Sequence, residues 1–153
     1  MKHPQIVVFE NDGLLARYLD QTVERRRWLL RESRQIPACV NLLRAGGPSV
    51  LVIKLGRNLI REFSLLDAVH AALTDIPIVV VSDAEDAVLQ SLAYDLGARY
   101  VLQPPDPRTQ LIELVESLMA ATISRAGIAA TRVVLPAGVA DILKSDSEEA
   151  AGA

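Results

Sequence analysis

Four short aliphatic runs, at residues 6–9 (IVVF), 50–53 (VLVI), 78–81 (IVVV) and 100–102 (YVL), most constrain what this chain can fold into. None alternates apolar with polar residues, so each reads as a strand covered on both faces, as in a parallel sheet. Helical periodicity fills the gaps. Leu15, Leu19 and Val23 recur at i, i+4 and i+8 behind Asp12, a residue type suited to an N-cap. Pro37 can open a second helix carrying Val40 and Leu43, which Gly46 and Gly47 end. Ser64 and Asp67 read as a capping box ahead of Val69 and Leu73. Residues 84–96 form a further helix stopped by Gly97. Asp106 and Pro107 start another, with Leu111, Leu114, Val115 and Leu118 on one face. The stretch 12–47 is too long for one helix and a loop, so residues 28–32 are assigned to a fifth strand. Five strands alternating with five helices predict an α/β fold with one parallel sheet and right-handed crossovers.

The 153 residues, half apolar and 23% charged, suit one domain with a continuous core. A net charge of −3 argues against general nucleic-acid binding, which a basic surface would favour. The Arg25-Arg26-Arg27 cluster reads as cations at a helix end, favoured by the dipole. Cys39 is the single cysteine, which leaves no internal disulfide or cysteine-rich metal site, and it reads as a small core residue. His3 and His70 stand alone, without ligand spacing. The amino terminus lacks a signal-peptide pattern, and no apolar run approaches the roughly 20 residues of a membrane span, so a soluble, cytoplasmic protein is expected. The domain is expected over residues 1–125. Residues 126–153 are expected to form an extension, with a strand or short helix near 133–143 and a disordered acidic end. No Pro- or Ser-rich linker to an output domain is found.

In open α/β sheets, chemistry gathers beyond the carboxyl ends of the strands. Those ends carry Glu10, Asn11 and Asp12 after the first run, Lys54 after the next, then Ser82 with Asp83, and finally Gln103 with Pro104. The segments IVVF-END, PSVLVI-K, IPIVVV-S and GARYVL-QP, in that order and at those spacings, resemble the receiver domain of two-component response regulators over roughly residues 4–121. The resemblance implies a flavodoxin-like, doubly wound sheet of five parallel strands in the order 2-1-3-4-5, with helices on both faces. It also implies what each strand end should hold: paired acids, a phospho-accepting aspartate, a Ser or Thr, and a Lys-Pro pair with a cis bond.

This chain departs from that pattern at the centre. Lys54 occupies the place of the phospho-accepting aspartate, Asn11 replaces one of the acids, and Gln103 replaces the lysine. A lysine side chain is ordinarily protonated at neutral pH, is then no nucleophile, and sets positive charge where Mg²⁺ would sit. The expectation is a degenerate pocket of Glu10, Asn11, Asp12, Lys54, Ser82, Gln103 and Pro104, with no metal, no cofactor and no catalysis. Lys54 is expected to bridge to Glu10 and Asp12, and Tyr100 matches an aromatic position that changes rotamer on activation in the family. The resulting reading is an atypical receiver acting as a protein-interaction module in signal transduction. It would bind a signalling partner, with a homodimer through the last helices as a further expectation and neither membrane nor nucleic acid as a partner. Two alternatives stay open: a small-molecule-binding or Lys-dependent protein on the same fold, and a receiver phosphorylated at another acid such as Asp83 or Asp12.

Overall fold

In the computed structural model, residues 2–56 and 58–134 are described. The chain alternates β1 (Gln5–Phe9), α1 (Leu14–Arg26), β2 (Leu29–Ser33), α2 (Ile36–Ala45), β3 (Ser49–Lys54), α3 (Leu59–Ala72), β4 (Ile78–Val81), α4 (Ala87–Asp95), β5 (Tyr100–Leu102) and α5 (Pro107–Val134). The sheet is parallel with strand order β2-β1-β3-β4-β5, the flavodoxin-like order implied by the resemblance.

The unbroken aliphatic runs follow from burial on both faces. Val7, Phe9, Leu51, Ile53, Ile78 and Val80 point into one core, shared with Cys39 and Leu43 of α2 and with Phe63, Leu66 and Val69 of α3. The residues between them, Ile6, Val8, Val50, Val52, Val79 and Val81, point into a second core with Leu15 and Leu19 of α1 and Leu111, Val115 and Met119 of α5. Each strand therefore needs apolar side chains at odd and even positions alike. Burial pushes the Cys39 thiol up to about 12, so it stays an inert, protonated core residue. β2 lies at the sheet edge with most of its residues exposed, which is why its sequence, LLRES, carries a weaker strand signal.

Three boundaries differ from the sequence expectation. α3 begins at Leu59, capped by Asn58, whose side chain accepts from the Arg61 N–H at 3.2 Å. Ser64 is mid-helix, where its hydroxyl donates to the Ile60 carbonyl at 2.7 Å, so Ser64 and Asp67 form no capping box. α4 starts at Ala87 rather than 84, because the Asp86 carboxylate accepts from the Val88 and Leu89 N–H groups. α5 starts at Pro107 as its Asp-Pro signal suggests but continues to Val134, so the helical pattern does not break near residue 126. Contacts divide the chain into one unit over Met1–Ile123 and a second over Ser124–Ala153. The expected disorder of the acidic end, and any structure between 135 and 143, lie outside the described residues. No helix among the described residues is long and apolar enough to cross a membrane.

Candidate functional site

The parallel register fixes which side chains meet at the carboxyl edge. Lys54 ends β3 opposite Val81 of β4, and the Leu55 N–H extends that ladder to the Val81 carbonyl at 2.8 Å. Two residues past Val81, Asp83 therefore stands beside the Lys54 side chain. Its Oδ1 lies 3.0 Å from Lys54 Nζ. The pair is lopsided: the lysine side chain is 8% exposed and the aspartate 77%. Around them Asn11, Asp12, Leu55 and Gly56 complete an open cleft of about 490 Å³.

The expected bridge from Lys54 to Glu10 is not what forms. Glu10 is buried, and its two carboxylate oxygens accept from the Leu15 and Ala16 N–H groups at 2.9 and 2.8 Å. Those N–H groups belong to the first turn of α1, which has no intrahelical acceptors for them, so Glu10 is committed to closing that helix. Desolvation raises the Glu10 carboxyl above its usual value, against the lowering effect of the two N–H donors. Asp12 accepts from the Leu14 N–H at 3.1 Å, which holds its carboxyl below the usual range, with a smaller contribution from the Lys54 charge. Asp12 therefore feels Lys54 at a distance, and Asp83 is the carboxylate in direct contact.

The remaining sequence-derived residues are spent elsewhere. Ser82 Oγ donates to the Ala84 carbonyl at 2.9 Å and accepts from the Ala84 N–H at 3.2 Å, a local turn that holds the β4–α4 loop. Gln103 Nε2 donates to the Asp86 carbonyl at 3.0 Å, tying the end of β5 to the start of α4. Neither lines the cleft. The cis peptide bond joins Pro104 to Pro105, one residue beyond the Gln103-Pro104 bond that the resemblance implies. Tyr100 is exposed on the edge strand, whereas Tyr94 of α4 accepts through its hydroxyl from the Val101 N–H at 3.2 Å.

Asp83 is legible at the end of β4, but only the register shows that it reaches Lys54. Glu62 is buried on α3, where its Oε1 accepts from the Gly56 N–H at 2.8 Å and pins the loop that floors the cleft. Burial raises its carboxyl above the ordinary value. Nothing in the sequence separates Glu62 from a solvent-facing helical glutamate.

The donor set does not fit Mg²⁺. A divalent ion needs free, converging oxygens; here each Glu10 oxygen already accepts a backbone N–H and an ammonium group lies among the acids. Among the described residues no group of three or more His, Cys, Asp or Glu could hold a metal ion.

No family model and no curated protein matches this sequence. Solved structures do resemble it. The receiver domain of a Francisella response regulator aligns with a TM-score of 0.65 at 18% identity, covering 78% of this chain and 98% of that one. A CheY-like receiver domain protein from Methanospirillum hungatei gives a TM-score of 0.65 at 10% identity, covering 82% and 99%. An orphan response regulator of H. pylori gives 0.62 at 13% identity, covering 75% and 95%. At these identities the likeness establishes the receiver fold.

Proposed function

We propose that this chain is an atypical receiver that is not phosphorylated at the usual site and works as a protein-interaction module in signal transduction. The observation that carries the reading is the side chain at the end of β3: a buried lysine, ion-paired to Asp83, stands where a receiver presents its acceptor carboxylate. An in-line attack on phosphorus needs an unprotonated oxygen nucleophile and positive charge around the transferring group. Lys54 supplies no such oxygen. Glu10 is a poor substitute, because each of its oxygens already accepts a backbone N–H in the first turn of α1.

The interaction role draws support from the outer surface of α4 and its neighbours. Val88 and Leu92 of α4 are exposed, and so are Tyr94, Tyr100 and Ile60. Ile60 and Leu92 share a surface groove between α3 and α4 with Leu59, Leu89 and Leu96, and contiguous exposed apolar surface is a common mark of association. Regulation would then come from the concentration of the partner rather than from phosphate. Titration calorimetry with MgCl₂ tests the loss of the switch. The expected result is no saturable heat up to about 10 mM, roughly tenfold above the weak-binding end for dedicated cation sites; saturable binding anywhere below that concentration would contradict it.

A further inference from the structure

At the opposite end of the sheet, a cleft of about 790 Å³ opens between edge strand β2 and α2, within the range of small-molecule sites. Its opening has a cause in the sequence. The buried Gln5 amide donates to the Leu42 carbonyl and to Ser49 Oγ, both at 2.9 Å, which draws the end of α2 tightly onto β1. A Cβ at Gly46 would lie 1.9 Å from Gln5 Nε2, and one at Gly47 would lie 2.7 Å from the Lys2 carbonyl oxygen. A side chain at Gly47 would strike backbone and one at Gly46 would displace the Gln5 amide, and two consecutive residues without side chains leave the end of α2 uncovered. Leu29 stays 37% exposed as part of the floor, beside Leu42, Ala38 and Ala45.

Basic residues outnumber the single acid at the rim. Strand alternation puts Leu29, Arg31 and Ser33 on the α2 side, while Leu30 packs into the α1/α5 core. Glu32 follows Leu30 to that other side, where its Oε1 lies 3.5 Å from the position of a Cβ on Gly13. Arg31, Lys2 and His3 are the basic side chains of the cleft; Glu32 also borders it, with its carboxylate turned toward Gly13. Lys2 Nζ is already held in place by the Ala45 carbonyl at 2.6 Å and keeps donors to spare.

From the apolar floor and the cationic rim we infer that this cleft binds a small amphipathic anion: an aliphatic body on Leu29 and Leu42, and one carboxylate or phosphate group at Arg31 and Lys2. A second copy of the chain fits less well. Pairing β2 with its counterpart about a two-fold axis at the strand centre would set Arg31 against Arg31, or Glu32 against Glu32, and like charges directly opposite are unfavourable.

Octanoate titrated into the full chain, followed by amide NMR, tests the inference, with octanol and inorganic phosphate as the two half-ligands. Saturable shifts are expected at Leu29, Ala38, Leu42 and Gly46, with octanoate at least tenfold tighter than octanol or phosphate. Arg31→Glu should weaken octanoate at least fivefold, and Ala38→Trp, which fills the cleft from the exposed face of α2, should abolish it. Octanol binding as tightly as octanoate, phosphate alone binding as tightly, shifts confined to other residues, or an Arg31→Glu chain that binds undiminished would each overturn it.

Discussion

Lys54 and Asp83 share one ion pair but not one environment. The lysine has left water and the aspartate has not. Removing each partner should therefore have unequal effects. Lys54→Met replaces a desolvated charge by an apolar chain of similar length and leaves Asp83 free to hydrate. Its expected effect on unfolding free energy is near zero or stabilising, since buried charges seldom outperform well-packed apolar substitutes. Asp83→Ala strands the ammonium group in the cleft and should cost about 1 kcal/mol, reduced from the fully buried case because water reaches the site. Denaturant titration of both variants checks the order; a Lys54→Met chain less stable than Asp83→Ala would contradict this account of the pair. Why the lysine's partner was not legible in the sequence follows from the same residues. The choice between Glu10 and Asp83 depends on where Glu10 spends its oxygens, and that is decided by the first turn of α1 rather than by proximity along the chain.

At the scale of elements, the loops around the crevice are held by side chains reaching across from neighbouring segments. Asp86 caps α4 through the Val88 and Leu89 N–H groups, while Gln103 grips the Asp86 carbonyl from the end of β5. Arg61 of α3 donates to the Arg34 carbonyl and to Gln35 Oε1, and it lies over the Phe9 ring at 5.5 Å, joining α3 to the β2–α2 loop. Asp86→Ala should cost about 1 kcal/mol, the usual worth of an N-cap, measured by denaturant titration; an unchanged midpoint would contradict a stabilising role for this cap. The central elements could be read from sequence because burial on both faces forces apolar residues at every position. Cap positions were harder. Ser64 and Asp67 have the composition of a capping box but sit inside α3, and Asn58, the actual cap, follows a loop with no apolar periodicity to mark the start. The length of α5 was not legible because Pro136 and Gly138 interrupt the apolar residues beyond 126, which reads as a break in the helical pattern.

For the whole molecule, two buried acids set the sign of the pH response. Glu10 and Glu62 both have carboxyl groups raised above 4.5 by desolvation. A group with a raised folded pKa contributes stability that is complete below its unfolded value and is lost as pH rises through its folded value. Together they should make the protein less stable at pH 8 than near pH 5, while Asp12, held below 3.8, contributes the opposite slope only in stronger acid. Glu62→Gln keeps an oxygen for the Gly56 N–H and removes the ionisation. Urea unfolding at pH 5 and pH 8 should show the gap narrowed in that variant; a gap of the original size would remove Glu62 as a source. The fold as a whole was legible, because alternation of buried strands and amphipathic helices admits few arrangements. The sequence places Lys54, Asn11 and Gln103 at strand ends where the resemblance implies other residue types, whereas the wiring of the pocket through Asp83 and Glu62 required the tertiary contacts.

The proposed absence of phosphorylation is tested most directly by intact-mass spectrometry after incubation with acetyl phosphate and Mg²⁺. An unchanged mass is the expected result, in the wild type and equally in Lys54→Asp, where Asn11 and Gln103 remain unsuited. A gain of one phosphate in the wild type, abolished by Asp83→Ala or Asp12→Ala alone, would contradict the account and make that aspartate the acceptor.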